Sequence, residues 1–371
     1  MLRLMNGSAP ESSFTSRVLI SIPFQMSLFD LINVYDLGMY LVYLLLSAVI
    51  GVVVGLGIYI KKKRCFELVA HFGSAESRRS AHPPEPGRHP SVLDSERVDK
   101  NCSHEYGFFE GMWWQALVPN DKPTCLVVCV HGYSDHSDFV MMNHAHELVR
   151  NTRAVVVLFD QHGFGRSDGL WGFIPSWFGH VSSCRRFIQF AKDKYSGLRT
   201  FGLGYSMGGG ILTTIEAIQP ILDGMILLAP MLVIREDVKP PAIVRSALAF
   251  LANIFPTWPV AISNHNGNLS YRDIAFRAKE QALNRLQYPG FPRLGTAVSM
   301  LNAQAWLEDN CSQVKCPFLV LHGTADVVTS IEGSRRLMAL TDPDLDKQLV
   351  TMEGYRHQIL GPSQELSLIH I

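Results

Sequence analysis

The chain lacks an excess of charge of either sign. Its 33 lysines and arginines balance 33 aspartates and glutamates, and its pI is about 7.2. Because proteins bind nucleic acid through clustered positive charge, this balance argues against such a partner. The sequence also contains no internal repeat and no cysteine–histidine cluster at metal-ligand spacing. We therefore expect neither a metal nor another cofactor.

The number and placement of the cysteines argue against a disulfide framework. The chain has seven cysteines, an odd number, and Cys125 and Cys129 fall within one predicted core strand. Small secreted domains instead use even sets of paired cysteines. The cysteine usage therefore favours a reducing compartment.

Charge is missing altogether from the 24 residues Leu37 to Ile60. At 1.5 Å per residue, a helix of this length crosses a hydrocarbon core of about 30 Å with some tilt. Four basic residues, 61–64, follow at once, whereas the twenty residues before the span carry a single basic one. The positive-inside rule predicts a single-pass protein with residues 1–36 on the non-cytosolic side. The rest of the chain should face the cytosol, on the endoplasmic reticulum or another endomembrane.

Beyond this span, the composition changes twice. Residues 61–106 are a basic juxtamembrane segment and then a stretch rich in serine, proline, arginine and histidine. Such a stretch cannot bury a core, so we predict a flexible tether. From residue 107 to 365, apolar strand-like and helix-like segments alternate. This alternation predicts one α/β domain whose parallel sheet has helices on both faces.

The segment Gly204-Tyr205-Ser206-Met207-Gly208 follows an apolar strand and precedes an apolar helix. G-x-S-x-G in this setting is the pattern of a nucleophile elbow. Gly204 and Gly208 allow the tight turn, and Ser206 is expected in strained backbone with its hydroxyl exposed. The alternative is an ordinary strand-to-helix turn that happens to hold a serine.

Other residues supply what an activated serine needs, namely a base and an orienting carboxylate. Asp326 ends a later predicted strand, and His357 lies in the loop after the next one. Ser, then Asp, then His is the chain order of α/β-hydrolases. Upstream, the strand 124–130 runs into a His-Gly turn. The backbone N–H groups of Tyr133 and Met207 are then predicted to form an oxyanion hole.

Together these motifs resemble the monoacylglycerol lipase family, in the plant-type lipase and esterase branch of the α/β-hydrolases. The resemblance extends from about residue 107 to 361 and rests on six segments: 131–136, 159–169, 204–209, 228–231, 322–326 and 353–357. It implies an α/β-hydrolase fold and an ester hydrolase without a metal. It assigns Ser206 as nucleophile, Asp326 and His357 as its partners, and Tyr133 and Met207 as oxyanion donors. The 160–169 loop should be structural, shaped by glycines and a capping aspartate.

The connection from about residue 231 to 310 is too long for a simple crossover and is predicted to be a cap over Ser206. Within it an apolar set recurs at helical spacing, comprising Val244, Leu248, Leu251 and Phe255. Two interpretations of this set stay open. The helix can pack onto the domain below, or it can be a lid that faces lipid and admits an acyl chain.

The expected reaction is acyl transfer through a covalent serine ester, which water then hydrolyses. The leading substrate is a monoacylglycerol or lysophospholipid drawn from the bilayer. An acyltransferase, or an esterase for a soluble phenolic ester, is the alternative on the same triad. A membrane-tethered scaffold without activity is the non-enzymatic alternative. The sequence leaves the oligomeric state open.

Three features depart from the family pattern. Tyr205 precedes the nucleophile where relatives often carry His or Met, a membrane segment precedes the hydrolase, and no helix follows His357. The closing residues 366–371, LSLIHI, also match a translation of a transposon-end sequencing adapter. We therefore expect these six residues to be a non-native tail.

Overall fold

The described part of the chain belongs to one compact unit that begins at Arg64. The computed structural model describes four ranges, residues 74–81, 101–233, 241–260 and 270–360. No helix within these ranges is long and apolar enough to cross a membrane. The predicted span 37–60, the segment before it and the predicted tail 366–371 lie outside the described residues.

One sheet of eight strands organises this unit. The strands are β1 Cys102–Phe109, β2 Met112–Pro119, β3 Leu126–Val130, β4 Val155–Phe159, β5 Thr200–Tyr205, β6 Gly224–Leu228, β7 Phe318–Gly323 and β8 Lys347–Met352. They lie in the order β1-β2-β4-β3-β5-β6-β7-β8. Pairing is antiparallel at β1–β2 and β2–β4 and parallel elsewhere. The prediction of a mostly parallel sheet is confirmed.

Helices fill the connections between the strands. In the described ranges they are α1 Ala75–Ala81, α2 Val140–Thr152, α3 Trp177–Lys194, α4 Met207–Ile218, α5 Ala242–Ile254, α6 Ile274–Leu283, α7 Leu294–Asn310 and α8 Ile331–Leu340. Helix α4 begins at Met207, earlier than the apolar run starting at Ile211 suggests. Glycine is a poor helix former, and the glycines at 208–210 conceal the first turn from a propensity argument.

Both faces of the sheet are buried because successive strand residues point to opposite sides. On β3, Val128 and Val130 join a core cluster that includes residues of α3, α4, α7 and α8. Val127 and Cys129 join a second cluster with residues of α2. The predicted placement of helices on both faces is confirmed. All parallel strands end at the same edge of the sheet, where the loops carrying Ser206, Asp326 and His357 meet.

The domain begins earlier than predicted. Strand β1 starts at Cys102, inside the range 61–106 that the sequence assigns to a linker, and pairs with β2 along its whole length. Glu110 and Gly111 join the two strands with φ of 46° and 77°, the geometry of a two-residue hairpin turn. The part of β1 inside the predicted linker, residues 102–106, is exposed or half-buried and contains no run of apolar residues that would mark it as a strand.

Helix α1 also lies inside the predicted linker. The guanidinium of its buried Arg78 donates to the carbonyl oxygens of Gly165 and Ser167, each at 2.6 Å. Burial lowers the pKa of Arg78 to about 10. Arg79 donates to the Asp168 carboxylate at 2.7 Å. The prediction of a flexible tether is therefore wrong for this helix, because two arginines attach it to the loop after β4.

The predicted cap, about residues 231–310, divides into two parts. Its last helix, α7, packs against α3 and α4, and Trp306 meets Phe178 edge to face at 5.5 Å. Ala303 and Leu307 of α7 are buried in the core of the domain. The end of the insertion therefore belongs to the main domain rather than to a separate cap.

Helix α5 forms the exposed part of the insertion and has no buried residue. Val244 and Leu251, from the apolar set at helical spacing, are 42% and 41% exposed. Leu248, also from that set, is half-buried, on the side of the helix that carries the half-buried Ala249 and Ala252. The predicted helix is therefore present, but most of the predicted apolar face is not packed onto the domain below.

Candidate active site

Ser206 lies at the turn between β5 and α4, in strained backbone with φ 53° and ψ −114°. Its flanking glycines permit this turn, since a Cβ at Gly208 would lie 2.0 Å from the carbonyl oxygen of Val130. A Cβ at Gly204 would lie 2.8 Å from the backbone of Gly208. The Ser206 N–H donates to the Leu228 carbonyl at 2.9 Å, which fixes the strained residue to β6. The expected elbow geometry is present.

The structure brings the three predicted triad residues together. His357 Nε2 lies 3.0 Å from Ser206 Oγ, and His357 Nδ1 lies 2.8 Å from Asp326 Oδ2. An ionised carboxylate only accepts hydrogen bonds, so Nδ1 carries the proton and donates to Asp326. Nε2 is then free to accept the Ser206 proton. This is the hydrogen-bond chain that a serine nucleophile requires.

The Asp326 carboxylate is fully buried and surrounded by donors. Its Oδ1 accepts from the N–H groups of Val328 at 2.7 Å and Thr329 at 3.0 Å, and Oδ2 accepts from the Thr329 hydroxyl at 2.8 Å. Burial by itself raises the pKa of Asp326. Hydrogen bonds from His322, His357 and Thr329 outweigh that effect and hold the pKa well below its usual range. Asp326 is therefore ionised wherever the protein is folded near neutral pH.

Sequence reasoning gave His322 no role, yet its imidazole contacts the same carboxylate. Its Nε2 lies 3.3 Å from Asp326 Oδ2, and its Nδ1 lies 2.7 Å from the hydroxyl of Ser334 on α8. All of the His322 side chain is buried. The only signal in the sequence was the position of His322 near the end of β7, four residues before Asp326.

Tyr205, the departure from the family pattern, contacts the candidate base. Its ring stacks on His357 with centroids 5.4 Å apart and planes 29° apart. Its hydroxyl lies 3.2 Å from the His357 carbonyl oxygen and also contacts the side-chain oxygen of Gln358. The loop after β8 has no regular structure at His357, so these contacts help to fix the imidazole. The unusual residue was visible in the sequence, but its partner 152 residues away was not.

The predicted oxyanion donors lie on either side of the nucleophile. A Cβ at Gly132 would lie 3.2 Å from Ser206 Cβ, so the His-Gly turn adjoins the serine. Within the described residues, the N–H groups of Tyr133 and Met207 donate to no protein acceptor. Met207 is the first residue of α4, whose N-terminal dipole favours negative charge. Both amides are therefore available to an oxyanion beside Ser206.

A network of buried neutral groups holds the His-Gly turn. The N–H of Gln161 donates to His131 Nε2 at 3.0 Å, and its side-chain amide donates to the His131 carbonyl at 2.7 Å. His180 Nε2 lies 2.8 Å from the Gln161 side-chain oxygen. Burial lowers the pKa of His131, and burial together with His162 and His131 lowers that of His180 to about 3. Both histidines are therefore neutral supports of the turn.

The insertion is bonded directly to the loop that follows this turn. The N–H of Tyr288 donates to the Ser134 carbonyl at 2.8 Å. The buried His136 lies 2.5 Å, through Nε2, from the side-chain oxygen of Asn284. Ser134 itself has a φ of 70°, so the loop is held in the left-handed region. The insertion thus helps to hold the loop beside the candidate site.

The 160–169 loop has the structural role expected of it. The carboxylate of Asp160 accepts from the N–H groups of Ser137 and Arg166, each at 2.7 Å. Asp160 therefore joins two loops. The motif had predicted that its aspartate caps a helix, and Asp160 does not do so. The described residues contain no group of three or more His, Cys, Asp or Glu side chains that could hold a metal ion.

The chain is similar to a family of hydrolases and to several named esterases and lipases. A family model described as Hydrolase_4, serine aminopeptidase, S33, matches residues 121–364, well over half of the chain. The caffeoylshikimate esterase of Arabidopsis thaliana is 28% identical over 67% of this chain and 76% of its own length. The monoacylglycerol lipase of Mycolicibacterium smegmatis is 26% identical over 69% of this chain and 89% of its own length. The monoglyceride lipase of Homo sapiens is 26% identical over 69% of this chain and 81% of its own length.

Solved structures resemble the chain at the level of fold. The monoacylglycerol lipase of Paleococcus ferrophilus has a TM-score of 0.55 and 23% identity, covering 67% of this chain and 91% of that one. A soluble variant of monoglyceride lipase from Saccharomyces cerevisiae has a TM-score of 0.57 and 20% identity. The match covers 69% of this chain and 88% of that one. At these identities the likeness shows the α/β-hydrolase fold alone.

The contacts of Tyr205 lead to a testable prediction. Tyr205→Phe removes the hydroxyl and should lower kcat about fivefold, the equivalent of one neutral hydrogen bond. Tyr205→Leu also removes the stacked ring and should lower kcat further. Both are measured as steady-state hydrolysis of a p-nitrophenyl ester. Tyr195→Phe is the control, because its hydroxyl donates to Glu105 at 3.0 Å and has no contact with the triad. Wild-type kcat in Tyr205→Leu would contradict the prediction.

Proposed function

The chain belongs to the Hydrolase_4 family, serine aminopeptidase, S33, and from that premise we propose that it is a membrane-anchored serine hydrolase of lipid esters. It is a carboxylic ester hydrolase, as its monoglyceride lipase relatives indicate. The proposed substrate is a monoacylglycerol or a lysophospholipid. The observation that carries the proposal is the hydrogen-bond chain from Ser206 through His357 to Asp326.

In the proposed mechanism, His357 Nε2 accepts the Ser206 proton while Ser206 Oγ attacks the ester carbonyl carbon. The N–H groups of Tyr133 and Met207 donate to the oxyanion of the tetrahedral intermediate. Asp326 keeps Nδ1 protonated and stabilises the imidazolium. The imidazolium then protonates the leaving alcohol, and an acyl ester remains on Ser206.

Deacylation repeats these steps with water. His357 Nε2 accepts a proton from the water molecule, and the hydroxide attacks the acyl carbonyl carbon. A second oxyanion is held by the same two amides. Collapse of this intermediate releases the fatty acid and returns the proton to Ser206 Oγ.

Helix α5 supports a lipid over a water-soluble substrate. Its outer side presents Ile243, Phe250 and Ile254 with 80%, 65% and 53% of their surface exposed, and Trp258 follows at 53%. Large apolar side chains concentrated on one exposed helix are typical of surfaces that meet a membrane or another apolar partner.

The proposed anchor is the uncharged stretch 37–60, which lies outside the described residues. Its length and the basic residues after it support a single span with the hydrolase on the cytosolic side. An anchor would hold the site near the bilayer in which the substrate is dissolved.

One relative favours a second candidate function. The Arabidopsis thaliana caffeoylshikimate esterase, 28% identical, is named as an esterase of caffeoylshikimate, and such a relative favours the phenolic ester as substrate. An acyltransferase would use the same acyl-enzyme with an alcohol in place of water. A water-soluble phenolic ester does not account for the exposed apolar side of α5, whereas a lipid substrate does, with either water or an alcohol as the acceptor.

The first prediction concerns the nucleophile and the substrate class. Ser206→Ala should abolish labelling by a fluorophosphonate probe and lower kcat about 10³-fold or more. Ser183→Ala is the matched control, since its hydroxyl donates to the Gly179 carbonyl on α3. A panel of monoacylglycerols, lysophospholipids and phenolic esters then ranks kcat/KM. Labelling and activity that persist in Ser206→Ala would overturn the mechanism, and a preference for phenolic esters would select the second candidate.

The second prediction concerns α5. Phe250→Ser and Ile243→Ser should each lower hydrolysis of monoacylglycerol in vesicles about tenfold, the equivalent of one apolar side chain losing its contact with lipid. Hydrolysis of a short water-soluble ester should not change. Leu340→Ser on α8, where the leucine is 47% exposed, is the control for loss of an exposed apolar side chain. Equal losses on both substrates would argue against a role in lipid contact.

The third prediction concerns topology. The full chain should stay in the membrane during carbonate extraction, and deletion of residues 1–72 should release it from this anchorage. Protease added to intact microsomes should digest the hydrolase domain, because that domain faces the cytosol. Complete protection of the domain would reverse the proposed orientation.

A further inference from the structure

We propose that His322 is a positioning residue of the candidate triad, holding the Asp326 carboxylate that orients His357. The inference rests on the proposed function, because it gives His322 a role only through the two triad residues. His322 touches neither Ser206 nor the position of a substrate. It would act by fixing the acceptor oxygen that His357 uses.

The first step is the proton on His322. Its Nε2 lies 3.3 Å from Asp326 Oδ2, the oxygen that also accepts from His357 Nδ1 at 2.8 Å. An ionised carboxylate has no proton to donate, and two lone pairs at this distance would repel each other. Nε2 of His322 must therefore carry a proton and point it at the carboxylate.

The second step is the origin of this tautomer. His322 Nδ1 lies 2.7 Å from the Ser334 hydroxyl, and both side chains are fully buried. In the tautomer with its proton on Nε2, Nδ1 is the acceptor and the Ser334 hydroxyl is the donor. A directed chain results, from Ser334 on α8 through His322 on β7 to Asp326.

The third step is the effect on the base. Two imidazoles share Oδ2, His322 from β7 and His357 from the loop after β8, while Tyr205 of β5 stacks on His357. The donor from His322 draws charge from the oxygen and restricts rotation of the carboxylate. Without that donor, Asp326 would hold the protonated form of His357 more tightly. The acid limb of the pH profile should then move to higher pH, and a less restricted carboxylate should lower kcat.

A histidine that merely filled space would behave differently. Its replacement by leucine would lower the melting temperature or the fraction of correctly folded enzyme. It would not move the pH dependence of the molecules that fold, because the charge at Asp326 Oδ2 would be unchanged. The pH profile per active site therefore separates positioning from packing.

The experiment compares His322→Leu, which removes both nitrogens, with His322→Gln, whose amide Nε2 can replace the donor. The full chain is used, active sites are counted with a fluorophosphonate, and kcat and kcat/KM are measured against pH with a p-nitrophenyl ester. His322→Leu should lower kcat about tenfold, the equivalent of one hydrogen bond to a charged group, and move the acid limb to higher pH. His322→Gln should restore most of kcat and the wild-type profile. His104→Gln, on the edge strand β1, is the control for loss of an imidazole.

Ser334→Ala keeps the imidazole and removes only the hydroxyl that sets its tautomer. It should move the acid limb in the same direction by a smaller amount, and it decides the question if His322→Leu does not fold. The inference would be overturned by a wild-type pH profile in folded His322→Leu or, if that variant does not fold, in Ser334→Ala. This failure is distinct from failure of the proposed function, in which Ser206→Ala would still be labelled and active. If the wild type is labelled, Ser206→Ala is not labelled and the pH profile does not move, the role of His322 is rejected and the proposed function stands.

Discussion

The candidate site depends on the close contact between the first turn of α4 and the end of β3. Only a glycine fits at residue 208, because a Cβ there would lie 2.0 Å from the Val130 carbonyl oxygen. This contact places the Met207 amide and the Ser206 hydroxyl beside the turn that carries Tyr133. Hydrogen bonding of the Ser206 N–H to β6 then holds the strained serine. The candidate nucleophile and the predicted oxyanion donors are therefore positioned by backbone packing, without the adjustment of any long side chain.

The protein also fixes which buried groups around this turn are charged. Burial keeps His131 and His180 neutral, since it lowers the pKa of both. Asp326 is buried too, but its donors hold its pKa well below the usual range, so it keeps its charge. One ionised group therefore faces His357 from within the protein, in a region where electrostatic interactions are weakly screened. The imidazolium of the proposed mechanism is the charge that this arrangement favours.

The sequence predicted those parts of the site that are encoded locally. The elbow and the strand-end positions of Asp326 and His357 are short patterns, and a parallel sheet brings its strand ends to one edge. Tyr205 and His322 were missed as supporting residues because their roles depend on contacts between separate strands and loops. The edge strand β1 and helix α1 were missed because polar composition does not distinguish a linker from a segment docked at the surface. For α5, helical spacing predicted the helix but not which side of it is packed.

The insertion connects substrate access to the chemistry below it. The Tyr288 N–H donates to the Ser134 carbonyl, and Asn284 contacts the buried His136. Ser134 lies immediately after Tyr133, so a displacement of this part of the insertion would release a loop that carries an oxyanion donor. Because Ser134 is in the left-handed region, the released loop would relax toward an ordinary backbone conformation. The insertion and the loop that carries the predicted oxyanion donor Tyr133 are thus held together by the same contacts.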